Sequence, residues 1–341
     1  MSSNACELNF TIDPAPLTPS ITGTAAKTYD GTTAVPAGLS ITLTGIVGSD
    51  DVTATATGYA YDNANAGEDK TITASGITLE GDSKDNYTLS STTATTTGTI
   101  TKSQPTIAFI SGYDPSKTYD GQTIPNPTAE QLTITGANYT DVTFEWSATP
   151  KDAGAYTLTA NIKETPNTEK ANTDPLAVTI SKAPLTVTGV TIQTRPYKPT
   201  YHTAEVSGVT FTGLVNGETL ALGEDYAAFG NYDDPNAGEN KSATILVELK
   251  SSAKANNYNL ANSSVNATGT ITKASQTAPS ITGLPSGTIT YGDTFALSAG
   301  SGVTWSASGA AAVDSSGKVT VTGTGKVTIT ATKPGDNNHY S

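Results

Sequence analysis

Hydrophobic residues along the chain alternate with polar ones over short stretches, and no stretch sustains the spacing of a helix face. Val142, Phe144 and Trp146 share one face of an extended segment. Tyr156, Leu158, Ala160 and Ile162 share a face of a second, and Leu176, Val178 and Ile180 of a third. Clusters of Gly, Pro, Asn, Asp and Ser between such runs turn the chain. Val319 and Val321 face one way across Gly323 and Gly325 from Val327, Ile329 and Ala331, which predicts a hairpin. Leu8, Phe10 and Ile12 alternate ahead of Pro14 and Pro16 and predict one more strand, left over from a preceding module or leader.

The pattern repeats. Asn65-Ala66-Gly67-Glu68-Asp69-Lys70 returns as Asn236-Ala237-Gly238-Glu239-Asn240-Lys241, 171 residues on. Asn86-Tyr87-Thr88-Leu89 returns as Asn257-Tyr258-Asn259-Leu260, and Thr97 to Lys102 as Thr268 to Lys273, at the same offset of 171. Ala15-Pro16-Leu17-Thr18 matches Ala183-Pro184-Leu185-Thr186 at an offset of 168, so a loop between Asp50 and Tyr61 absorbs three residues. Self-similarity of this kind marks tandem modules, each one supersecondary unit with its own small core. The boundaries fall at 1–14 (the residual strand), 15–102, 103–182, 183–273 and 274–341. The last module stops after Asp336-Asn337-Asn338-His339-Tyr340, a segment like the one that precedes a final strand elsewhere, so it is expected to be incomplete. Linkers of two or three residues are too short for free flexing and predict a semi-rigid rod.

Composition narrows the function more than the fold. The chain has 18 basic and 31 acidic residues, a net charge of −13, and its lysines are scattered singly. That argues against nucleic acid or an anionic membrane surface as partner. No run approaches the roughly 18 apolar residues of a membrane span, so no membrane insertion is expected in this segment. Cys6 is alone, so each module must be held by packing without disulfides. The acidic, mutually repelling surface suits a monomeric protein outside the cell.

Lys27-Thr28-Tyr29-Asp30-Gly31-Thr32 and Lys117-Thr118-Tyr119-Asp120-Gly121 resemble the signature of the YDG repeats of large bacterial surface adhesins. The second and fourth modules resemble the MBG and bacterial Ig-like repeats that alternate with them. The resemblance implies tandem immunoglobulin-like antiparallel β-sandwiches from a surface or secreted protein, acting as stalk or adhesive scaffold and not as an enzyme. It implies partners among host or cell-surface glycans or proteins, or neighbouring repeats. An accessory, carbohydrate-binding array on a secreted polysaccharide enzyme is the alternative. The third module reads Arg195-Pro196-Tyr197 and the fourth Thr290-Tyr291-Gly292, so the tyrosine persists where Asp-Gly does not. The echoed Tyr29, Tyr87, Tyr119, Tyr197, Tyr258 and Tyr291 are therefore expected to pack, and the Asp-Gly to make a turn. Asp152-Ala153-Gly154-Ala155-Tyr156 resembles the tyrosine corner of immunoglobulin sandwiches, which implies a structural role for Asp152 and Tyr156.

Chemistry-bearing groups are sparse. His202 and His339 stand in different modules, with no nucleophile flanked as a triad requires, so no catalytic residue is nominated. Paired carboxylates are the one hydrolytic option left, yet the acids cluster in duplicated turns, which reads as architecture. Those turns, with Asp62, Asp69, Asp233, Asp234 and Glu239, carry enough oxygen for Ca²⁺ without the EF-hand spacing. Solvated turns are the simpler reading, and no other cofactor is expected. Lys102, Lys182 and Lys273 end strands before linkers and are candidates for an amide staple to Asn or Asp. Trp146 and Trp305 alternate with polar neighbours and are expected in cores rather than as sugar platforms.

Overall fold

The computed structural model describes residues 6–136 and 141–341. Strands and short 3₁₀ turns make up its regular structure, and no helix among the described residues is long and apolar enough to cross a membrane. The chain divides into two compact units. One comprises residues 1–116, 123–150 and 155–179, and the other residues 117–122, 151–154 and 180–341.

In the first unit, the first module sets a three-stranded sheet, Ser40–Thr44, Ala15–Thr22 and Tyr87–Leu89, against a four-stranded one, Ala26–Thr28, Ala94–Thr101, Gly67–Ser75 and Gly58–Tyr61. Ala74, Ile77 and Ala94 from the larger sheet and its flank meet Ile21, Ile41 and Leu89 from the smaller. Leu17, in the opening strand, is fully buried against Val52 and Tyr87. The second module pairs Thr106–Phe109 with Leu132–Thr135 over Ile107, Ala160 and Ile162. Its larger sheet aligns Val142, Phe144 and Trp146 with Ile162, Ala160 and Leu158, two of the three shared faces that alternation predicts.

In the second unit the third module repeats the first. Val206–Thr212, Ala183–Ile192 and Tyr258–Leu260 form one sheet, and a five-stranded sheet carries Tyr226–Tyr232, Gly238–Leu249 and Ser264–Thr272. Tyr232, Ile245, Val247 and Ile271 are at most 2% exposed between them. The fourth module has a three-stranded sheet, Thr294–Ala296, Lys318–Val321 and Ala311–Val313, and a two-stranded one, Thr304–Gly309 with Val327–Thr332.

Several expectations change. Pairing is not purely antiparallel. Ala15 pairs in parallel with Tyr87, Ser103 with Thr168, Ala183 with Tyr258 and Ala274 with His339, one such pair in every module. Ala26–Thr28, Lys117–Thr118 and Arg195–Pro196 also lie parallel to the closing strands of their modules. A parallel pair needs a long crossover. Here the rest of the module is the crossover, and alternation reports which face a residue occupies but not the direction of its neighbour.

The hairpin expected across Gly323 and Gly325 is absent, because Lys318–Val321 and Val327–Thr332 belong to different sheets. Their apolar faces meet Leu297 and Trp305 in the core between those sheets. Residues 6–14 ahead of the first module form no strand, and Leu8, Phe10 and Ile12 are 73–82% exposed, since no described strand offers them a ladder.

The repeated glycine near the end of the closing strand has a steric cause. A Cβ on Gly269 would stand 2.2 Å from the Tyr232 hydroxyl, and one on Gly98 would stand 3.0 Å from that of Tyr61 and 2.6 Å from the Ala25 carbonyl. The closing strand must be bare there to admit the core tyrosine.

Candidate functional site

Topology brings two repeated motifs to opposite ends of a module, one at its entry and one at its exit. The parallel pairs Ala15 to Tyr87, Ser103 to Thr168, Ala183 to Tyr258 and Ala274 to His339 put the residue before each partner, Asn86, Asn167, Asn257 or Asn338, beside the entering linker. Gly67 pairs with Ile100 and Gly238 with Ile271, so the Ala-Gly loops flank the closing strand where it runs into the next linker. Loop and asparagine therefore meet across each linker.

They meet in the same way three times. The Ala66 amide donates to Asn167 Oδ1 at 2.9 Å while Asn167 Nδ2 donates to Asn65 Oδ1 at 3.1 Å. The Ala153 amide donates to Asn257 Oδ1 at 2.7 Å, and Asn257 Nδ2 to Asp152 Oδ1 at 3.1 Å. The Ala237 amide donates to Asn338 Oδ1 at 2.8 Å, and Asn338 Nδ2 to Asn236 Oδ1 at 2.9 Å. One carboxamide thus satisfies a backbone donor and a side-chain acceptor at once, which only Asn or Gln geometry allows. The loop's first residue must be an acceptor, and Asn or Asp serves equally.

The second joint adds a buried polar cluster. Glu218 accepts from Tyr119 through Oε1 and from Tyr258 through Oε2, both at 2.6 Å. The two rings meet edge to face with centroids 5.6 Å apart, and the Val215 amide donates to the Tyr258 hydroxyl at 2.9 Å. Burial, reinforced by the Glu218 carboxylate, raises the Tyr119 hydroxyl pKa and pushes that of Tyr258 up to about 12. Asn216 Nδ2 reaches the Asp120 carbonyl at 3.0 Å. Thr168 stands in the place of Tyr258 at the first joint, bonded by Ser103 Oγ at 3.1 Å, while Lys102 pairs with Glu164 and lies 3.7 Å from Glu169. At the third joint His339 takes that place and packs edge to face on Tyr197, held by Asp336 at 2.9 Å.

The Tyr-Asp-Gly signature makes a tied turn. Asp30 accepts from the Thr32 amide and from Lys27 Nζ, both at 2.8 Å, and Asp120 accepts from the Gln122 amide at 2.9 Å and from Lys117 at 2.6 Å. Lys27 holds the Asp30 carboxyl down at about 2, and Lys117 lowers that of Asp120 likewise. Gly31 and Gly121 take φ of 79° and 72°, which the turn requires of glycine. Tyr29 and Tyr197 pack on their cores and Tyr119 is 4% exposed, each donating its amide to the closing strand. Tyr291 does not follow them: it is 72% exposed, its segment held by Gly292 donating to the Val321 carbonyl.

The other nominated residues serve these loops. Asp62 lies 3.1 Å from Lys70, and Asp234 pairs with Lys241, each lysine lowering its partner's pKa. Asp69 and Asn240 adopt φ of 52° and 54° at matching bulges that turn those lysines back over the loop. Asp69, Asp233 and Glu239 are exposed, and among the described residues no three His, Cys, Asp or Glu side chains converge as a metal would require. Asp152, read as part of a tyrosine corner, is the acceptor at the second joint, and Tyr156 is half-buried. Trp146 is half-buried and donates to Asn126 at 2.9 Å, whereas Trp305 packs on the fourth core. Lys273 donates to the Asp336 carbonyl, and Lys182 is exposed.

The sequence marks the Asn65 and Asn236 loops and the Asn257 and Asn338 segments as repeats, but it singles out neither Asn167 nor the Asp152 loop as their counterparts, nor the bonds between loop and asparagine. The near-constant separation of 101–105 residues between partners was the available signal.

The family model described as the YDG domain matches residues 13–96 and again residues 181–267. No curated protein matches the chain. The two matched segments overlap the first and third modules and include the Asn65 and Asn236 loops.

Proposed function

The chain belongs to the YDG-domain family, and from that premise we propose that it is a non-enzymatic stalk or adhesive repeat region of a bacterial cell-surface or secreted protein. Its modules are immunoglobulin-like sandwiches stacked end to end. The observation that carries this reading is the clasp, one bidentate asparagine contact made at three successive joints. A joint held by hydrogen bonds on both sides of a linker of two or three residues transmits orientation from module to module, as a stalk must. The side chains at the joints differ while the clasp does not, as expected if the selected property is spacing and not a reaction. Extracellular placement agrees with the lone Cys6 and the net charge of −13.

Small-angle scattering from the whole chain is expected to give an elongated particle. Replacing Asn167, Asn257 and Asn338 together by Ala should broaden its distance distribution without unfolding the modules. A compact profile, or turnover on a panel of polysaccharides, would contradict the proposal.

A further inference from the structure

Three joint asparagines are engaged, but the repeat contains a fourth. Asn86 occupies in the first module the position of Asn257 in the third, at the end of a matching 3₁₀ turn, Lys84–Asn86 against Ala255–Asn257. Its side chain is exposed and, among the described residues, makes no hydrogen bond, whereas Asn257 is 3% exposed.

The surroundings of Asn86 are those of Asn257 with the cover removed. Tyr87 donates to Asp50 Oδ2 at 2.6 Å as Tyr258 donates to Glu218 Oε2 at 2.6 Å, and the Val47 amide donates to the Tyr87 hydroxyl at 3.0 Å as the Val215 amide does to Tyr258. The second carboxylate oxygen of Glu218 holds Tyr119 of the preceding module, while Asp50 Oδ1 has no hydrogen bond among the described residues. Val215 lies so close to the Asp120-Gly121 turn that a Cβ on Gly121 would stand 3.4 Å from it, whereas Val47 is 62% exposed. Gly48 takes a φ of 59° where Asn216 takes 51°, so the backbone of the face is already in its docked form. An exposed apolar residue, a half-used carboxylate and an idle carboxamide thus lie together on a face whose counterpart is buried.

We infer that the Asn86, Asp50 and Val47 face of the first module is a docking surface for another repeat module, one bearing an Asn- or Asp-Ala-Gly loop together with a Tyr-Asp-Gly turn. The loop's alanine amide and its first side chain engage Asn86, the signature tyrosine donates to Asp50, and the Asp-Gly turn covers Val47. The second module has both elements, at Asp152 to Gly154 and Tyr119 to Gly121. The fourth module of a second copy does not fit. Its loop is Gly323-Thr324-Gly325, with no side-chain acceptor at the first position, and its Tyr291-Gly292 lacks the Asp-Gly turn. The inference rests on the stalk reading, because it takes the clasp for a joint.

The test places a second copy of residues 103–182 directly before Ala15, so that Lys182 runs into Ala15 as it naturally runs into Ala183. Hydrogen exchange of the Asn side-chain amides, read by NMR in this extended chain and in the natural one, is the measurement. Asn86 should slow by at least about tenfold on extension, approaching Asn257, because its amide becomes a closed hydrogen bond. Asn86→Ala should lower the unfolding midpoint of the extended chain and leave that of the natural chain unchanged. Unchanged exchange at Asn86 beside a protected Asn257 would overturn the inference while leaving the joint intact. An unprotected Asn257 would instead overturn the joint, and the stalk reading with it. Loss of the natural resonances of residues 15–102 on extension would also overturn the inference, since docking would then be incompatible with that module's fold.

Discussion

The joint between the first and second modules and the joint between the second and third share one clasp and little else. Around Asn167 the supporting groups are Ser103, Thr168 and a half-buried lysine with two glutamates. Around Asn257 they are two tyrosines on one carboxylate, with Tyr258 1% exposed and Tyr119 4% exposed. The contact common to both uses a backbone amide, which no substitution removes except proline. What differs is side-chain chemistry that can be exchanged without moving the backbone. The joint is thus specified by main-chain geometry and tuned in strength by its neighbours.

The largest effect should come from the carboxylate that the second joint has and the first lacks. Glu218→Ala leaves two buried hydroxyls without their acceptor and should destabilise the third module by about 3 kcal/mol, given that hydrogen bonds to charged groups are worth more than neutral ones. Glu218→Gln should recover part of this, as followed by urea denaturation. If E218A were neutral, the tyrosine cluster would be incidental to the joint.

Next come the clasps. Asn257→Ala should cost about 2 kcal/mol and Asn167→Ala about 1 kcal/mol, because only Asn257 is fully buried and the loss of a partner is dearest where water cannot replace it. Equal losses in thermal unfolding would mean that burial does not distinguish the two joints.

Alkaline pH separates the joints again. The Tyr258 hydroxyl is raised to about 12 from its ordinary value of 10.0, so its contribution is complete below pH 10 and is lost as pH rises from about 10 through about 12. Thr168 has no titrating group there, so Tyr258→Phe should lessen the alkaline loss at the second joint, Tyr119 keeping the remainder, and should leave untouched whatever loss the Lys102 pair gives the first. At the acid end Asp30, lowered from 3.8 to about 2, contributes fully above pH 4 and loses that contribution as pH falls toward 2. Denaturation midpoints at stepped pH, for wild type and for Asp30→Asn, check the sign.

The smallest effect should be Lys102→Ala. Its pairs with Glu164 and Glu169 are open to solvent at the first joint, and such pairs contribute little, less still in high salt. A loss that persists in 1 M salt would show packing of the lysine stem instead.

These distinctions were only half visible in the sequence. The duplicated Asn65 and Asn236 loops and the Asn86 and Asn257 segments could be read as repeated, and the shared faces in the second module appear in the register of Val142 with Ile162. Repetition locates a motif, however, without saying what lies opposite, and each partner is about a hundred residues away in the next module. Asp152 shows the limit: its loop resembles a corner within one module, and the asparagine that it also serves belongs to another. The parallel pairs and the separated Val321 and Val327 strands were hidden for a related reason. A period of two fixes which side of a strand is buried and is silent about which strand lies beside it or across from it.

The central claim is that the clasp holds neighbouring modules in a fixed mutual orientation. Residual dipolar couplings of backbone amides measure this directly, in the wild-type chain and in Asn167→Ala, Asn257→Ala and Asn338→Ala. In wild type, the first and second modules should fit a common alignment tensor, as should the third and fourth. Each substitution should reduce the apparent alignment of one flanking module relative to the other while each module's internal fit is preserved. Couplings unchanged by all three substitutions would contradict the account, because the asparagines would then decorate joints that something else holds.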